Sequence, residues 1–174
     1  MLTVYKAQVS DYERVRHFYH SLIYAMKGAE YQPGWKIDIY PAPEFLQDSI
    51  KNGELYVGEL DGQIAACMVL NQKCNEAYSR IDWPSHVNQN ACMVIHALGV
   101  HPDFSGRGIG KQMVQSAIST AKDSGMKAVR LDVLDGNLPA EKLYKSQGFR
   151  RITTISMYYE DTGWTDYEGY ELML

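Results

Sequence analysis

Two periods of apolar residues divide the first half of this chain. Val15, Phe18, Leu22 and Ile23 recur at helical spacing behind Ser10 and Asp11, either of which suits a helix cap. A helix is expected there, with Arg14, Arg16 and His17 on its wet face and a short strand, residues 2–7, before it. Residues 28–45 contain Gly28, Pro33, Gly34, Pro41 and Pro43, which interrupt any regular element and predict a loop rich in aromatics. Pro43 opens a short helix that Gly53 stops. Residues 54–70 read as a hairpin, because two β-prone runs flank Asp61-Gly62, a favoured tight-turn pair.

The second half starts with a polar, irregular stretch, 71–90, carrying Trp83-Pro84. Residues 91–100 are nearly all apolar, which predicts a strand buried on both faces. A glycine cluster follows, then a helix over 110–125 in which Met113, Ala117 and Ala121 stack at four-residue intervals and Gly125 is the stop. Residues 127–134 supply another buried strand. A helix within 135–149 has Pro139 in its first turn and Gly148 beyond its last, and the tail reads as two strands on which Tyr158, Tyr159, Tyr167 and Tyr170 pack. Strand, helix, strand, helix over 91–149 implies at least one parallel pair with a right-handed crossover. The class is α/β or α+β around one mixed sheet. No repeat, low-complexity run or linker divides the chain, so residues 1–174 are expected to form a single domain.

Composition narrows the function. With 174 residues, 45% hydrophobic and 22% charged, the chain is typical of one globular domain with a core large enough to need no disulfide or metal staple. A net charge of -4 argues against a surface built to neutralise phosphate backbones, so nucleic acid is not an expected partner. Cys67, Cys74 and Cys92 show no C-x-x-C pair and read as reduced thiols of a cytoplasmic protein. No apolar run approaches the ~18 residues of a membrane span, so neither a membrane nor a leader segment is expected. His17 and His20 stand three apart on the first helix without an indicated third ligand, so no metal is expected.

The candidate chemistry lies in "LGVHPDFSGRGIGKQMV", where a buried strand runs into three glycines that open a helix. Such glycines let the backbone approach a ligand closely, and the first-turn amides of the helix favour an anion. Arg107 and Lys111 add fixed cations. A P-loop would need Gly at 105 and Ser or Thr at 112, where Ser105 and Gln112 stand. The dinucleotide fingerprint would need a glycine at 113, where Met113 stands. Both readings fail on spacing.

What remains, G-x-G between strand and helix, resembles the signature of the GNAT superfamily, the Gcn5-related N-acetyltransferases that use acetyl-coenzyme A. The pattern is Q/R-x-x-G-x-G/A; Gly108 and Gly110 match it, and Ser105 replaces the expected Gln or Arg. A second pattern, N-x-x-A-x-x-x-Y-x-x-x-G-F, is matched in full by Asn137, Ala140, Tyr144, Gly148 and Phe149. "HALGVHPDF" is similar to the family's splayed fourth strand and, in part, to that strand in the arylalkylamine acetyltransferases, which carry a second histidine where this chain has Val94.

The resemblance implies a mixed, mostly antiparallel twisted sheet of about six to seven strands with about four helices and a splayed parallel pair at the coenzyme site. It implies acetyl-CoA as cosubstrate and direct attack by a small-molecule amine, less readily a protein amino group, in a ternary complex. Coenzyme contacts are implied for Leu98, Gly99, Val100, Ser105, Gly106, Arg107, Gly108, Ile109, Gly110, Lys111, Asn137 and Tyr144, with Tyr144 as general acid. His96 interrupts an apolar strand and ordinarily titrates near neutrality, which makes it the candidate general base. Tyr19, Tyr24, Tyr31 and Trp35, with Tyr40, are the candidate walls for the acceptor, and Glu30 and Asp38 are charges that would draw a cationic amine. A homodimer is compatible with the resemblance. The alternative from a different class is a module that holds acetyl-CoA as a sensor or structural ligand without transfer.

Overall fold

The computed structural model describes residues 1–174. Seven strands form one sheet in the order β1-β2-β3-β4-β5-β7-β6, where β1 is Thr3–Lys6, β2 Leu55–Leu60, β3 Gln63–Asn71, β4 Cys92–Val100, β5 Ala128–Leu134, β6 Arg150–Tyr159 and β7 Gly163–Met173. Only β4 and β5 run parallel; every other pair is antiparallel. Four helices complete the fold: α1 Tyr12–Ala25, α2 Pro43–Lys51, α3 Ile109–Asp123 and α4 Leu138–Ser146. Architecture and class are those the sequence implied, and no helix is long and apolar enough to cross a membrane.

Small differences have local causes. A 3-10 turn, Val9–Asp11, precedes α1, and the Asp11 carboxylate accepts the Gln8 N–H at 2.8 Å instead of capping α1 itself. The Asp61-Gly62 turn holds both residues at positive φ, 53° and 79°, as its two-residue hairpin requires. Two 3-10 turns, Glu76–Arg80 and Gln89–Ala91, order part of the irregular stretch.

The two faces of the sheet are covered separately. One core gathers Met113, Val114, Ala117 and Ala121 of α3 with Ala66, Met68, Leu131 and Tyr170 of the sheet. Met113 and Val114 are fully buried, and such burial stabilises by ~1.5–3 kcal/mol per side chain. On the other face, Val15, Phe18, Tyr19 and Leu22 of α1 pack with Leu46 and Ile50 of α2 against β2 and β3.

The feature that creates a site is the parting of β4 from β5. They pair only over Cys92–Val94 and Ala128–Arg130. Beyond that, β4 carries an extra residue opposite β3, since Cys67 faces Gly99 while Val69 faces His96. Ala97 takes φ 49° in this bulge, and the buried Tyr19 hydroxyl donates to the Ala97 carbonyl at 2.8 Å. Bulges bend a strand and re-aim its side chains. Here the bend frees the β5-facing backbone groups from Ile95 onward and opens a cavity between the strands.

Candidate active site

The cavity, about 100 Å³, is lined from β4 by Ile95, His96, Ala97 and Leu98, from β5 by Asp132, Val133 and Leu134, and from α4 and its approach by Asn137, Ala140 and Tyr144. Trp35 and Tyr40 reach it from the loop after α1, and Tyr159, Asp161 and Tyr167 from the last hairpin. Asn137 caps α4, its Oδ1 accepting the Ala140 N–H at 3.4 Å. With Pro139 inside the first turn, that cap fixes where α4 starts and so where Tyr144 stands. The Tyr144 ring is held edge-on by Phe149, with centroids 5.6 Å apart. Its hydroxyl has no partner within the chain, and burial pushes its phenol up. It is therefore neutral, with a proton to donate.

Next to this cavity, the chain turns through Gly106 and Gly108, at φ 76° and 69°, into α3. A side chain at 108 would be strained in that left-handed conformation, although a Cβ there would meet open space. No side chain caps α3, so the amides of its first turn, at Ile109, Gly110 and Lys111, stay available to an anion. Arg107 stands over the Phe104 ring at 5.6 Å. Ser105 ends the short 3-10 turn Pro102–Phe104. Gly99 has a packing role, because a Cβ there would come within 2.5 Å of Leu22 and 3.2 Å of Trp35. Val100 lies against α3 and its core.

His96 is where a base was expected, with an altered chemistry. Burial lowers its pKa to about 4, aided by the charge of Lys73, so the expected titration near neutrality does not hold. The acceptor wall also needs correction. Trp35 and Tyr40 line the cavity, but Tyr19 is a core residue beneath them, drawn in by the same helical face as Phe18 and Leu22. Tyr24 is 70% exposed on the opposite face of α1, under Lys27 at 5.1 Å, and Tyr31 does not line the cavity. Glu30 is exposed in the loop. Asp38 is engaged outside by Arg16 at 2.7 Å and His20 at 2.8 Å, which holds its carboxyl below the usual range and straps the loop to α1. His101 is a cap: Nδ1 accepts the Asp103 N–H at 3.3 Å and Nε2 meets Ser21 Oγ at 3.0 Å.

Sequence reasoning overlooked Asp132. Its Oδ2 accepts from the Tyr78 hydroxyl at 2.8 Å and the Tyr159 hydroxyl at 2.9 Å, and burial outweighs those bonds to raise its pKa. Asp161, fully buried, is a second carboxyl on the cavity wall, its pKa also raised by burial. Tyr159 and Tyr167, expected only to pack the last strands, face the cavity, their rings 5.0 Å apart. The signal for Asp132 was present: one acid inside the apolar run 128–134.

The sequence model of the acetyltransferase (GNAT) family matches residues 13–149, and this chain belongs to that family of acetyl-CoA-using acetyltransferases. An N-acetyltransferase of Methanocaldococcus jannaschii is 40% identical over 74 residues, 42% of this chain and 33% of that one. A thialysine N-epsilon-acetyltransferase of Sus scrofa is 38% identical over 65 residues, 37% of this chain and 35% of that one. The matched stretch thus spans about a third of each relative's length. Among solved structures, a GNAT-family acetyltransferase of Streptococcus agalactiae shares the fold with a TM-score of 0.83 at 19% identity, covering 99% of this chain and 95% of that one.

Proposed function

We propose that this acetyltransferase acts on the primary amine of a small molecule, by direct attack of the amine on acetyl-CoA in a ternary complex. The observation that carries this reading is the unpartnered, neutral Tyr144 hydroxyl inside the cavity that the β4–β5 splay opens beside the uncapped start of α3. Residues 105–111 fit the coenzyme diphosphate, since they offer free amides, open space at Gly106 and Gly108, and the cations of Arg107 and Lys111. The freed backbone of Leu98 and Val100 suits the pantetheine amides and the thioester oxygen, and Asn137 orders the turn beside it.

Bound there, acetyl-CoA supplies an acetyl thioester whose carbonyl carbon takes the amine nitrogen as the C–S bond breaks. Tyr144 gives its proton to the departing sulfur, the proton that the nitrogen loses on becoming an amide returns through water to restore the Tyr144 hydroxyl, and a backbone N–H of the splayed strand stabilises charge on the oxygen. His96, neutral, orients the incoming amine or its water through the unprotonated Nδ1. Trp35, Tyr40, Tyr159 and Tyr167 form an aromatic wall suited to an ammonium. The pig relative, whose name specifies a small amine acceptor, supports the same class.

The test is incubation with acetyl-CoA and a panel of small primary amines, reading thiol release and acetylated product by mass spectrometry. Amine-dependent thiol release with a matching product is expected. Coenzyme binding without transfer to any amine would overturn the reading in favour of a coenzyme-binding module.

A further inference from the structure

We infer that Asp132 Oδ1 anchors the acceptor as its ammonium and takes its proton, and that the acceptor is a primary alkylamine whose nitrogen-bearing carbon carries no carboxylate. The inference rests on the transfer reading above and adds the acceptor's class.

Both tyrosine hydroxyls bond Oδ2, which leaves Oδ1 without a partner. Oδ1 is not sealed in the core, because the buried side-chain polar atom lacking a partner is Tyr170 Oη. It therefore borders the cavity that Asp132 lines. No lysine or arginine lines that cavity, and His96 there is neutral, so the carboxylate has no countercharge of its own. A half-buried charge left so is costly, and an ammonium entering among the aromatic rings supplies what is missing. The site recognises the acceptor in the form that dominates in water.

Asp161 in the same wall makes the cavity a poor host for an anion. An α-amino acid would bring its carboxylate, one carbon from the reacting nitrogen, against one or both of these groups. A carboxylate farther along a chain escapes this, since Lys36 and Lys73 lie near the cavity, each felt by one of its lining residues, Asp161 and His96 respectively.

The proton step balances as R–NH₃⁺ with the Asp132 carboxylate giving R–NH₂ and the Asp132 carboxylic acid. Burial raises the carboxyl's proton affinity toward that exchange, and the neutral amine produced carries the lone pair the transfer needs. Tyr78 and Tyr159 then hold the protonated group in place.

The test compares kcat/KM for pentylamine with norleucine, and for phenethylamine with phenylalanine, on the unmodified protein. Each pair differs only by the carboxylate. Like-charge contact predicts a preference of ~100-fold or more for the amine; equal values, or a preference for the amino acid, overturn the inference while leaving the transfer reading intact. Asp132→Asn is expected to lower kcat/KM for pentylamine by ~100-fold or more, within the span of a lost general base, with acetyl-CoA affinity held by calorimetry. Unchanged kcat/KM in that variant would equally overturn it. Should Asp132→Asn not fold, the substrate pairs decide alone. Transfer to none of these four and to no amine of the wider panel would remove the transfer reading and this inference together.

Discussion

Asn71 Oδ1 lies 2.9 Å from His96 Nε2, and this contact fixes which nitrogen of the ring carries the proton. The Asn71 amide nitrogen donates to Glu54 Oε2 at 3.1 Å, and Asn71 Oδ1 also accepts from the Lys73 N–H at 3.0 Å, so the amide has one orientation. The second partner of Nε2, the Lys73 carbonyl at 3.1 Å, is an acceptor too. Nε2 therefore bears the hydrogen, and Nδ1 keeps its lone pair.

A first prediction concerns acid. His96 is lowered from 6.5 to about 4 in the folded protein, so the unfolded chain binds its proton first as pH falls. Stability from this group is complete above pH 6.5 and is lost progressively toward pH 4, by about 3 kcal/mol at 1.36 kcal/mol per pKa unit. Denaturant unfolding between those pH values checks this. His96→Gln is expected to flatten the slope, and a slope equal to that of the unmodified protein would show that the ring is not held neutral.

Asp132 gives the opposite sign. Its folded pKa is raised, so the unfolded chain loses its proton first and the penalty grows as pH rises from the ordinary carboxylate value of 3.8 through the folded value. Above that, Asp132→Asn is expected to be more thermostable than the unmodified protein, by ~2–4 °C for each kcal/mol removed in a domain of this size. The variant that harms the site stabilises the fold. A lower melting temperature across neutral pH would contradict the assignment of a half-buried, uncompensated charge.

Tyr144→Phe removes one hydroxyl and no packing. If that hydroxyl donates the proton to sulfur, kcat falls by ~10²–10⁴-fold while the KM for acetyl-CoA moves little. Steady-state kinetics by thiol release decide it. A rise in KM alone would make Tyr144 a binding residue instead.

The fold was legible because it rests on local signals: the helical period of α1, the Asp61-Gly62 turn, Pro43 before α2, and the glycines around α3. Tyr144 and Asn137 were singled out by their resemblance to the family pattern N-x-x-A-x-x-x-Y-x-x-x-G-F, and both line the cavity. The acceptor wall was legible only in part. The spacing of Tyr19, four residues after Val15 and three before Leu22, already places it on the apolar face of α1, and Tyr24 falls outside that face. Asp132, Tyr40, Tyr159 and Tyr167 come together from β5, the loop and the last hairpin, far apart in sequence, and the β4 bulge that opens the space between them has no signal of its own. Charge was misplaced for a related reason, since Asp38 meets Arg16 and His20 across the loop.

Calorimetric titration with acetyl-CoA, on the unmodified protein and on Gly108→Val, tests the central claim most directly. Gly108 is at φ 69° where α3 begins, so valine there is strained, and its branches would crowd a diphosphate held by the first-turn amides. Binding in the micromolar range that collapses in a folded Gly108→Val is the result expected if residues 105–111 hold the coenzyme. Equal affinity in the two proteins, or no binding to the unmodified protein at millimolar coenzyme, would contradict it.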